Sequence, residues 1–491
     1  MVLQTLKALR ARTPKGASTG LTDNEISAFA ARDPHLQLAV DEAVRRFDEI
    51  EKEFPNLVKT SETDLIPQLA SDFLNFYAAE TVSPFVPLSA KGPWIITLGG
   101  AVLYETGGYG MLGQGHDPDS LRPSLAQPQV MANIMTPSFS QYRFSNKLKS
   151  KIGYLHSSGT CPYGKFICMN SGSEGVGVAL RISDAHAKKI TDPSGKHCGK
   201  TIRILSFEGS FHGRTYRAAR ISSSSRKRYD TYLASFRDHR DHVEVRVNDA
   251  AHLRELYDRF EKENTYIELL AIEPVMGEGN PGQALSVEFY NVARELTKQH
   301  NTILLIDSIQ AGLRAQGTLS VIDYPGFEQC APPDIEVFSK ALNGGQFPLS
   351  VVGLQQWIAD EYIAGIYGNT MTANPRALDI ASCVLDAVTP ALTENIQKRG
   401  KEFLQKLQTL QQEFPKAITK VQGTGLLISA ELREDIPVVG FDGVEQRLRR
   451  AGINVVHGGK NALRYTPWFL ISSEEIDLMV DKTRNAIQEF A

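Results

Sequence analysis

The chain has 491 residues, of which 42% are apolar and 22% are charged, and its formal net charge is −3 at pH 7. This length exceeds one compact core and predicts about two to four domains, in a composition typical of a globular enzyme. The small net charge argues against a nucleic-acid-binding or membrane-surface protein, and no apolar run reaches the roughly 18–20 residues that cross a bilayer.

The five cysteines are widely spaced and form no CxxC pair. Their odd number argues against a disulfide scaffold or a zinc site and favours a reducing compartment. We therefore expect a cytoplasmic protein. The first 20 residues are basic and lack acidic residues, which weakly resembles a transit peptide, so a mitochondrial location stays open. A helical N-terminal arm is the preferred interpretation.

The order of predicted elements indicates an α/β fold. Residues 21–82 contain acidic, helix-favouring segments, and from residue 93 the chain becomes β-like and rich in glycine. Short apolar runs then alternate with helical patterns: KFICMN, TIRILSF, LLAIEPV, TILLID and IEVFSK are separated by segments such as AAHLRELYDRFEKE. This alternation predicts βαβ units and a largely parallel sheet. We expect an N-terminal helical arm and small-domain segment (1–92), a large domain (93–375) and a C-terminal small domain (376–491).

Five chemically distinctive residues lie at, or just past, the carboxyl ends of predicted strands: Asn170, Phe211, Glu273, Asp307 and Lys340. Open α/β sheets bind ligands along that edge. The coincidence predicts one site built from several strands.

Asp307 and Lys340 each have a structural and a chemical interpretation. Asp307 closes an apolar strand, where a carboxylate often caps a helix or a turn. Alternatively, it keeps a cationic ring nitrogen protonated, because an opposite charge favours the charged form. Lys340 follows an apolar run, where a lysine can extend to solvent. Alternatively, desolvation lowers the pKa of its amine, which then forms a Schiff base with a carbonyl cofactor.

Two loops after predicted strands have the same ambiguity. Ser171-Gly172-Ser173-Glu174 is either an ordinary helix cap or a phosphate site at a helix N-terminus. Phe211 could stack on a flat heterocycle or belong to the core. Arg214 could pair with a substrate carboxylate through two hydrogen bonds.

Several other motifs offer competing functions. GYGMLG (108–113) and GEGNPG (277–282) fit GxGxxG, and Asp307 closes the strand that follows the second, which resembles a dinucleotide fingerprint. Against a nicotinamide-dependent dehydrogenase, QALS separates the last glycine from the predicted helix. His239 and His242 lie in FRDHRDH, which we interpret as a solvated, salt-bridged loop rather than a metal site. We expect no metal, because HExxH is absent.

Seven segments occur in an order that resembles one enzyme family: NSGSE, SFHGRT, EPVMGEG, LLIDSIQAG, FSKALNGG, GNTMTANP and ALRYTP. The chain is similar, from about residue 93 to 475, to the class III pyridoxal-phosphate aminotransferases, a group that includes ornithine, acetylornithine and 4-aminobutyrate aminotransferases. The resemblance implies a fold-type I transferase, with a mostly parallel sheet in the large domain and a smaller C-terminal α+β domain. It also implies pyridoxal 5'-phosphate as the cofactor and a homodimer with a shared active site.

The resemblance assigns cofactor contacts residue by residue. Lys340 would form the Schiff base and move the proton between substrate and cofactor. Asp307 would hold the pyridine nitrogen protonated, and Gln310 would bond the ring hydroxyl. Gly172 and Ser173 would offer backbone N–H groups to the phosphate.

The remaining cofactor contacts come from three other segments. Phe211 would stack on the ring, with His212 and Glu273 also at the cofactor. Thr370 would bind the phosphate of the neighbouring subunit.

The same resemblance assigns substrate contacts. Arg464 would hold the α-carboxylate of the keto acid, and Glu278 would pair with Arg464 when an ω-amino substrate is bound. Arg214 is the further candidate for a substrate carboxylate.

The implied reaction moves an amino group from an amine or ω-amino acid to a 2-oxo acid such as 2-oxoglutarate, with ping-pong kinetics. A decarboxylase or an aminomutase would use the same cofactor, and a non-enzymatic scaffold of this fold is a further alternative. The chain departs from the family where Ser308 replaces a usual Glu, and where Thr372 and Ala373 replace a usual Gly-Gly pair. These departures leave the substrate open.

Overall fold

The computed structural model describes residues 1–14, 16–131, 133–238 and 240–490. Its α-helices are Val2–Arg10 (α1), Asp23–Ala30 (α2), Pro34–Glu53 (α3), Glu62–Ala70 (α4), Arg122–Ala126 (α5), Phe139–Lys151 (α6), Gly172–Thr191 (α7), Tyr216–Arg220 (α8), Arg226–Tyr232 (α9), Ala250–Lys262 (α10), Val287–His300 (α11), Gln356–Asp360 (α12), Pro375–Ala387 (α13), Pro390–Glu413 (α14), Val444–Arg450 (α15) and Ser473–Ile487 (α16).

The strands are Pro87–Lys91 (β1), Trp94–Thr97 (β2), Val102–Glu105 (β3), Lys165–Met169 (β4), Thr201–Phe207 (β5), His242–Val245 (β6), Thr265–Ile272 (β7), Ile303–Asp307 (β8), Ile335–Phe338 (β9), Ser350–Leu354 (β10), Ile418–Thr424 (β11), Leu427–Leu432 (β12), Ile453–Asn454 (β13), Val456–Gly458 (β14) and Ala462–Tyr465 (β15). All five apolar runs singled out in the sequence overlap with strands.

A seven-stranded sheet has the order β4-β10-β9-β8-β7-β5-β6. Strand β10 is antiparallel to both of its neighbours, whereas the pairs between β9, β8, β7, β5 and β6 are all parallel. This sheet confirms the predicted α/β fold with a mostly parallel sheet.

The central strand β7 shows why its sequence is apolar throughout. Leu270 and Ile272 belong to a core cluster that includes residues of α10 and α11. Leu269 and Ala271 belong to a second cluster, which includes residues of α7. Because alternate strand residues point to opposite faces, a strand covered on both faces needs apolar residues at every position.

The chain divides into two compact units: Met1–Arg122, Lys398–Gln422 and Ile428–Ala491 form unit 1, and Pro123–Gln397 and Gly423–Leu427 form unit 2. These bounds differ from the expected ranges, because residues 93–122 belong to unit 1 and residues 376–397 to unit 2. The pairing of β2 and β3 with one another and with β1 and β13 explains the first difference. The packing of α13 against α6 explains the second.

Unit 1 contains two four-stranded sheets, β1-β2-β3-β13 and β11-β12-β15-β14. The N-terminal helices pack on the first sheet: Ser89 Oγ donates to Ala39 O at 2.6 Å, and Trp94 Nε1 donates to Asp33 Oδ2 at 2.6 Å. Among the helices of the described residues, none is long and apolar enough to span a membrane.

Candidate active site

The carboxyl ends of four neighbouring strands of unit 2 gather the predicted residues. Strands β9, β8, β7 and β5 are consecutive in the sheet. Lys340 follows β9, Asp307 ends β8, Glu273 follows β7, and Phe211 lies in the loop after β5. The sheet therefore brings together residues that are far apart in sequence.

Asp307 is buried and bonded on both carboxylate oxygens. Its Oδ2 lies 2.8 Å from His212 Nδ1, and its Oδ1 accepts the backbone N–H of Ile309 at 3.1 Å. A carboxylate can only accept, so Nδ1 carries the proton in this pair. Asp307 thus closes a turn, as its structural interpretation expected, and also binds a buried imidazole, which the sequence did not indicate.

Burial by itself lowers the pKa of His212, but the Asp307 carboxylate outweighs that effect and raises the pKa above the ordinary histidine value. The other ring nitrogen, Nε2, is buried and has no hydrogen-bond partner within the residues that the structure describes. The pair places an imidazole N–H directly behind the carboxylate that the resemblance assigns to the pyridine nitrogen.

Glu273 holds two loops of the site together. Its two carboxylate oxygens accept the backbone N–H groups of Phe211 and Gly277, each at 2.9 Å. Burial raises its pKa to about 7, with the charge of His212 acting in the opposite direction. The observed bonds give Glu273 a loop-holding role, and a direct cofactor contact stays a prediction.

Lys340 has an unusual backbone at the end of β9. Its φ is +46°, in the left-handed region that non-glycine residues rarely adopt, and such strain persists only where the surroundings impose it. The side chain is half-buried, and its Nζ donates to Gln310 Oε1. Gln310 Nε2 is buried and finds no acceptor in the described part of the chain, so it can donate to a bound group. Lys340 is therefore not a fully solvated strand-end lysine.

The N-terminus of α7 forms a candidate anion site. Ser171 Oγ accepts the N–H of Glu174 at 3.3 Å, and Glu174 Oε2 accepts that of Ser171 at 3.1 Å, so the expected cap is present. The first N–H groups of a helix have no acceptor within the helix, which leaves those of Gly172 and Ser173 for an anion. The cap and the anion site are thus compatible.

The loop after β5 lies directly against this helix start. Arg214 N donates to Ser173 Oγ at 3.0 Å, and a Cβ at Gly213 would lie 2.4 Å from the same oxygen. Gly213 also has a φ of +121°, so a side chain there would be strained as well as obstructed. Arg214 is exposed, and its Cζ lies 5.3 Å from the centre of the Phe211 ring. Its role toward a substrate carboxylate stays a prediction.

The remaining predicted residues lie elsewhere. Thr370 is exposed, beside Asn369, whose Nδ2 donates to Glu174 Oε1 at 3.1 Å. Glu278 is half-buried in the GEG loop of unit 2. Arg464 belongs to unit 1 and is buried in β15, so its predicted pairing with Glu278 stays a prediction.

Tyr109 is a neighbour of Arg464 that sequence reasoning missed. The Cζ of Arg464 lies 6.0 Å from the centre of the Tyr109 ring, which also stacks on Tyr77 at 5.6 Å. Burial raises the pKa of Tyr109 to about 12. The residue lies in GYGMLG, where the sequence pattern draws attention to the glycines alone, and its φ of +47° marks it as a strained position.

The competing motifs have structural explanations. Helix α11 begins at Val287 after the N-cap Ser286, beyond the glycines of GEGNPG, as the argument against a dinucleotide site expected. His242 is not in a solvated loop: it begins β6, is buried, and its Nε2 lies 2.8 Å from Ser206 Oγ. His239 lies outside the described residues, and no group of side chains suited to a metal ion occurs within them.

The residues of unit 2 fit a flat, phosphate-bearing pyridine. A helix N-terminus offers N–H groups, and Asp307 offers a carboxylate backed by an imidazole. Gln310 offers a buried amide N–H that has no acceptor among the described residues. Lys340 supplies an amine at the same edge of the sheet. Charge, hydrogen bonding and an attachment point are all present.

Comparison with known proteins gives one consistent result. The family model of class-III aminotransferases matches residues 76–487. An acetylornithine aminotransferase of Clostridium acetobutylicum is 31% identical over 315 residues, which cover 64% of this chain and 74% of the relative. Ornithine aminotransferase 2 of Staphylococcus aureus is 29% identical over 427 residues, which cover 85% of this chain and 98% of the relative.

Solved structures show the same fold. The ornithine aminotransferase of Toxoplasma gondii ME49 superposes with a TM-score of 0.74 at 22% identity, covering 90% of this chain and 98% of that one. An S-selective transaminase of Bacillus megaterium superposes with a TM-score of 0.72 at 15% identity, covering 87% and 98%. At these identities the likeness is one of fold.

The His212–Asp307 pair predicts a pH-dependent contribution to stability. Because the pKa of His212 is raised on folding, its stabilising effect is fully present below the ordinary histidine pKa of about 6.5 and is lost as the pH rises through the folded value. We expect the difference in unfolding free energy between the wild type and His212→Gln, both without cofactor, to be larger at pH 5.5 than at pH 9. Denaturant unfolding at the two pH values measures it, and a difference that grows toward pH 9 would contradict the assignment.

Proposed function

We propose that this chain, which belongs to the class-III aminotransferase family, transfers the amino group of an ω-amino acid or amine to a 2-oxo acid such as 2-oxoglutarate. Amino transfer itself, with pyridoxal phosphate as the cofactor, follows from family membership. The observation that carries the proposal is the convergence of Lys340, Gln310, Asp307 and His212 at one edge of the unit 2 sheet.

The residues of unit 2 suit the binding of this cofactor. When bound, pyridoxal phosphate supplies an electron sink that delocalises the charge left by a departing proton. We assign the phosphate to the N–H groups of Gly172 and Ser173, and one ring face to Phe211. Asp307 would accept the hydrogen of the ring nitrogen, while His212 orients the carboxylate and holds it in place.

Lys340 is the proposed attachment point and the proton carrier. Its Nζ lies within hydrogen-bonding reach of Gln310 Oε1, so Gln310 orients the amine. The opposite atom of that amide, Nε2, would donate to the ring oxygen, which explains a buried donor without an acceptor among the described residues. A positioned amine can remove and return a proton at the substrate carbon, an effect worth about 10²–10⁴-fold in rate.

Two features support the substrate class. The sequence relatives are named for ornithine and acetylornithine, both of which carry a terminal amine and a carboxylate. In this chain Arg464 is buried in β15, beside the Tyr109 ring, and a guanidinium in such a setting suits a planar carboxylate. We keep Glu278 as the predicted partner of Arg464 when an ω-amino substrate is bound.

We also propose a homodimer with a shared active site. Large apolar side chains are unusually exposed between residues 130 and 142: Val130 at 77%, Met131 at 57%, Ile134 at 64%, Met135 at 82%, Phe139 at 79% and Tyr142 at 67%. An apolar surface of this kind is typical of an interface.

All five cysteines are free, which agrees with the proposed reducing compartment, the cytoplasm or the mitochondrion.

Replacement of Lys340 tests the function. In Lys340→Met we expect amino transfer to fall by about 10²–10⁴-fold, because the proton carrier is lost. Borohydride should attach the cofactor to Lys340 in the wild type and to no residue in the variant, as read by peptide mass spectrometry. Lys298→Met, at an exposed lysine of α11, serves as the control and should behave as the wild type. Undiminished transfer in Lys340→Met would contradict the proposal.

Mixed dimers test whether Thr370 acts on the neighbouring subunit. Thr370→Ala should weaken cofactor binding by about 1.5–3 kcal/mol, the effect of losing one hydrogen bond to a charged group. In a dimer of one Lys340→Ala chain and one Thr370→Ala chain, the site that retains Lys340 receives Thr370 from its partner. We expect that site to bind cofactor with wild-type affinity and to be active.

Two differently tagged chains allow the mixed dimer to be purified and titrated with pyridoxal phosphate. If Thr370 served its own chain, the site with Lys340 would lack the threonine and would bind pyridoxal phosphate weakly. A fully active monomer in analytical ultracentrifugation would also contradict the shared site.

A further inference from the structure

A buried carboxylate lies between the two strands that carry Asp307 and Lys340. Glu336, on β9, is fully buried, and its two oxygens accept four hydrogen bonds. Oε1 accepts from the Ser308 hydroxyl at 2.6 Å and from the Val321 N–H at 3.0 Å. Oε2 accepts from the Tyr163 hydroxyl at 2.7 Å and from the Ser320 hydroxyl at 2.5 Å. The four donors are all uncharged, and together they occupy the acceptor sites that a carboxylate offers.

This cluster sits where β8 and β9 end. Glu336 pairs in register with Ile306, and the N–H of Ser308 donates to Val337 O at 2.9 Å. One residue before Ser308 is Asp307, and four residues beyond Glu336 is Lys340. The cluster therefore links the residue after the carboxylate to the strand that delivers the amine.

Such a link explains how the strained backbone of Lys340 is maintained. A left-handed φ at a lysine persists only if the adjoining chain is held on both sides. Directly before Lys340, the Ser339 hydroxyl donates to Leu349 O at 2.7 Å, and after it the Asn343 amide donates to the same oxygen at 3.2 Å. Earlier in the chain, the bonds of Glu336 fix β9 against β8. A fully satisfied buried network of this kind rigidifies what it joins.

The identity of residue 308 fits this arrangement. A glutamate at 308 would bring a second carboxylate against Glu336. Serine instead supplies a donor. Ser308 and Glu336 are thus the donor and the acceptor of one buried hydrogen bond in this chain.

We propose that Glu336, held by Ser308, is a positioning residue that aligns Asp307 and Lys340 toward the cofactor. The proposal rests on the roles assigned to those two residues under the proposed function. Both oxygens of Glu336 are occupied by donors of the protein, so its effect must appear in the placement of the groups that would meet the cofactor.

The experiment compares Ser308→Ala with a control variant that removes a different buried hydrogen bond in the same unit. Ser183 Oγ donates to Glu268 Oε1 at 2.5 Å, and both residues are buried. Ser183 is far along α7 from Gly172, so Ser183→Ala removes a similar bond without touching the ends of β8 and β9. Ser308→Thr keeps the hydroxyl and serves as the conservative variant.

Two measurements report on the placement of the cofactor: its affinity for the cofactor-free protein and the pH midpoint of its absorbance change. Denaturant unfolding reports on stability. We expect Ser308→Ala to weaken the binding of pyridoxal phosphate to the cofactor-free protein about tenfold, because a displaced Asp307 and Lys340 would make poorer contacts with the cofactor. We also expect the pH midpoint of the absorbance change of the bound cofactor to rise. A displaced Asp307 protonates the ring nitrogen less completely, and the lost positive charge no longer disfavours the proton at the Lys340 nitrogen.

Ser183→Ala should lose comparable stability while both cofactor readouts stay as in the wild type, and Ser308→Thr should preserve them. Tyr163→Phe, which removes a donor from the other oxygen of Glu336, should move both readouts in the same direction as Ser308→Ala. The proposal would be overturned if the cofactor affinity and the pH midpoint in Ser308→Ala and Tyr163→Phe did not differ from those in Ser183→Ala. If Lys340→Met abolishes cofactor attachment while those readouts are unchanged, the proposed function stands and the positioning role alone fails.

Discussion

The contact between the Asp307 carboxylate and the His212 imidazole, 2.8 Å apart and buried, is the interaction on which the rest of the site depends. A buried carboxylate needs partners, since an unpaired charge is costly away from water. His212 and the backbone N–H of Ile309 supply them and leave the carboxylate oriented toward the carboxyl edge of the sheet. That orientation would allow one acidic group to control the protonation of a bound pyridine nitrogen, which is the role that we propose for Asp307.

The parallel sheet brings the residues of this arrangement together. Neighbouring parallel strands end at the same edge, so β5, β7, β8 and β9 each deliver one or two residues to a common region. The loops are then held by side chains from the strand ends themselves. Glu273 binds the loops that carry Phe211 and Gly277, and Glu336 binds the turn that begins at Ser308. Of these three acidic residues, Glu273 and Glu336 hold loops in place, and Asp307 is the one to which we assign a chemical role.

Much of this could be predicted from the sequence because it depends on local patterns. The alternation of apolar runs and helical periods predicted the parallel sheet, and the strand-end positions of Glu273, Asp307 and Lys340 predicted a site at its carboxyl edge. The capping box at Ser171 was visible as an ordinary cap. Local patterns do not show which side chains contact one another across strands. The pairing of His212 with Asp307 joins residues 95 positions apart.

Other features escaped prediction for related reasons. Glu336 reads as one polar residue in an apolar strand, and only the register of β8 against β9 shows that it binds Ser308. The left-handed backbone of Lys340 is imposed by its surroundings, since lysine has no preference for that conformation. The boundaries of the two units depend on strand pairing between distant segments, such as β3 with β13, which composition along the chain does not reveal.

The role of the His212–Asp307 pair can be tested through the protonation state of the ring nitrogen in the loaded enzyme, read by NMR with pyridoxal phosphate labelled with ¹⁵N in the ring. We expect a protonated nitrogen across the pH range from about 6 to 8 in the wild type, and an unprotonated one in Asp307→Asn, where the anionic partner is gone. A ring nitrogen that stays protonated in Asp307→Asn, or that is unprotonated in the wild type, would contradict this role.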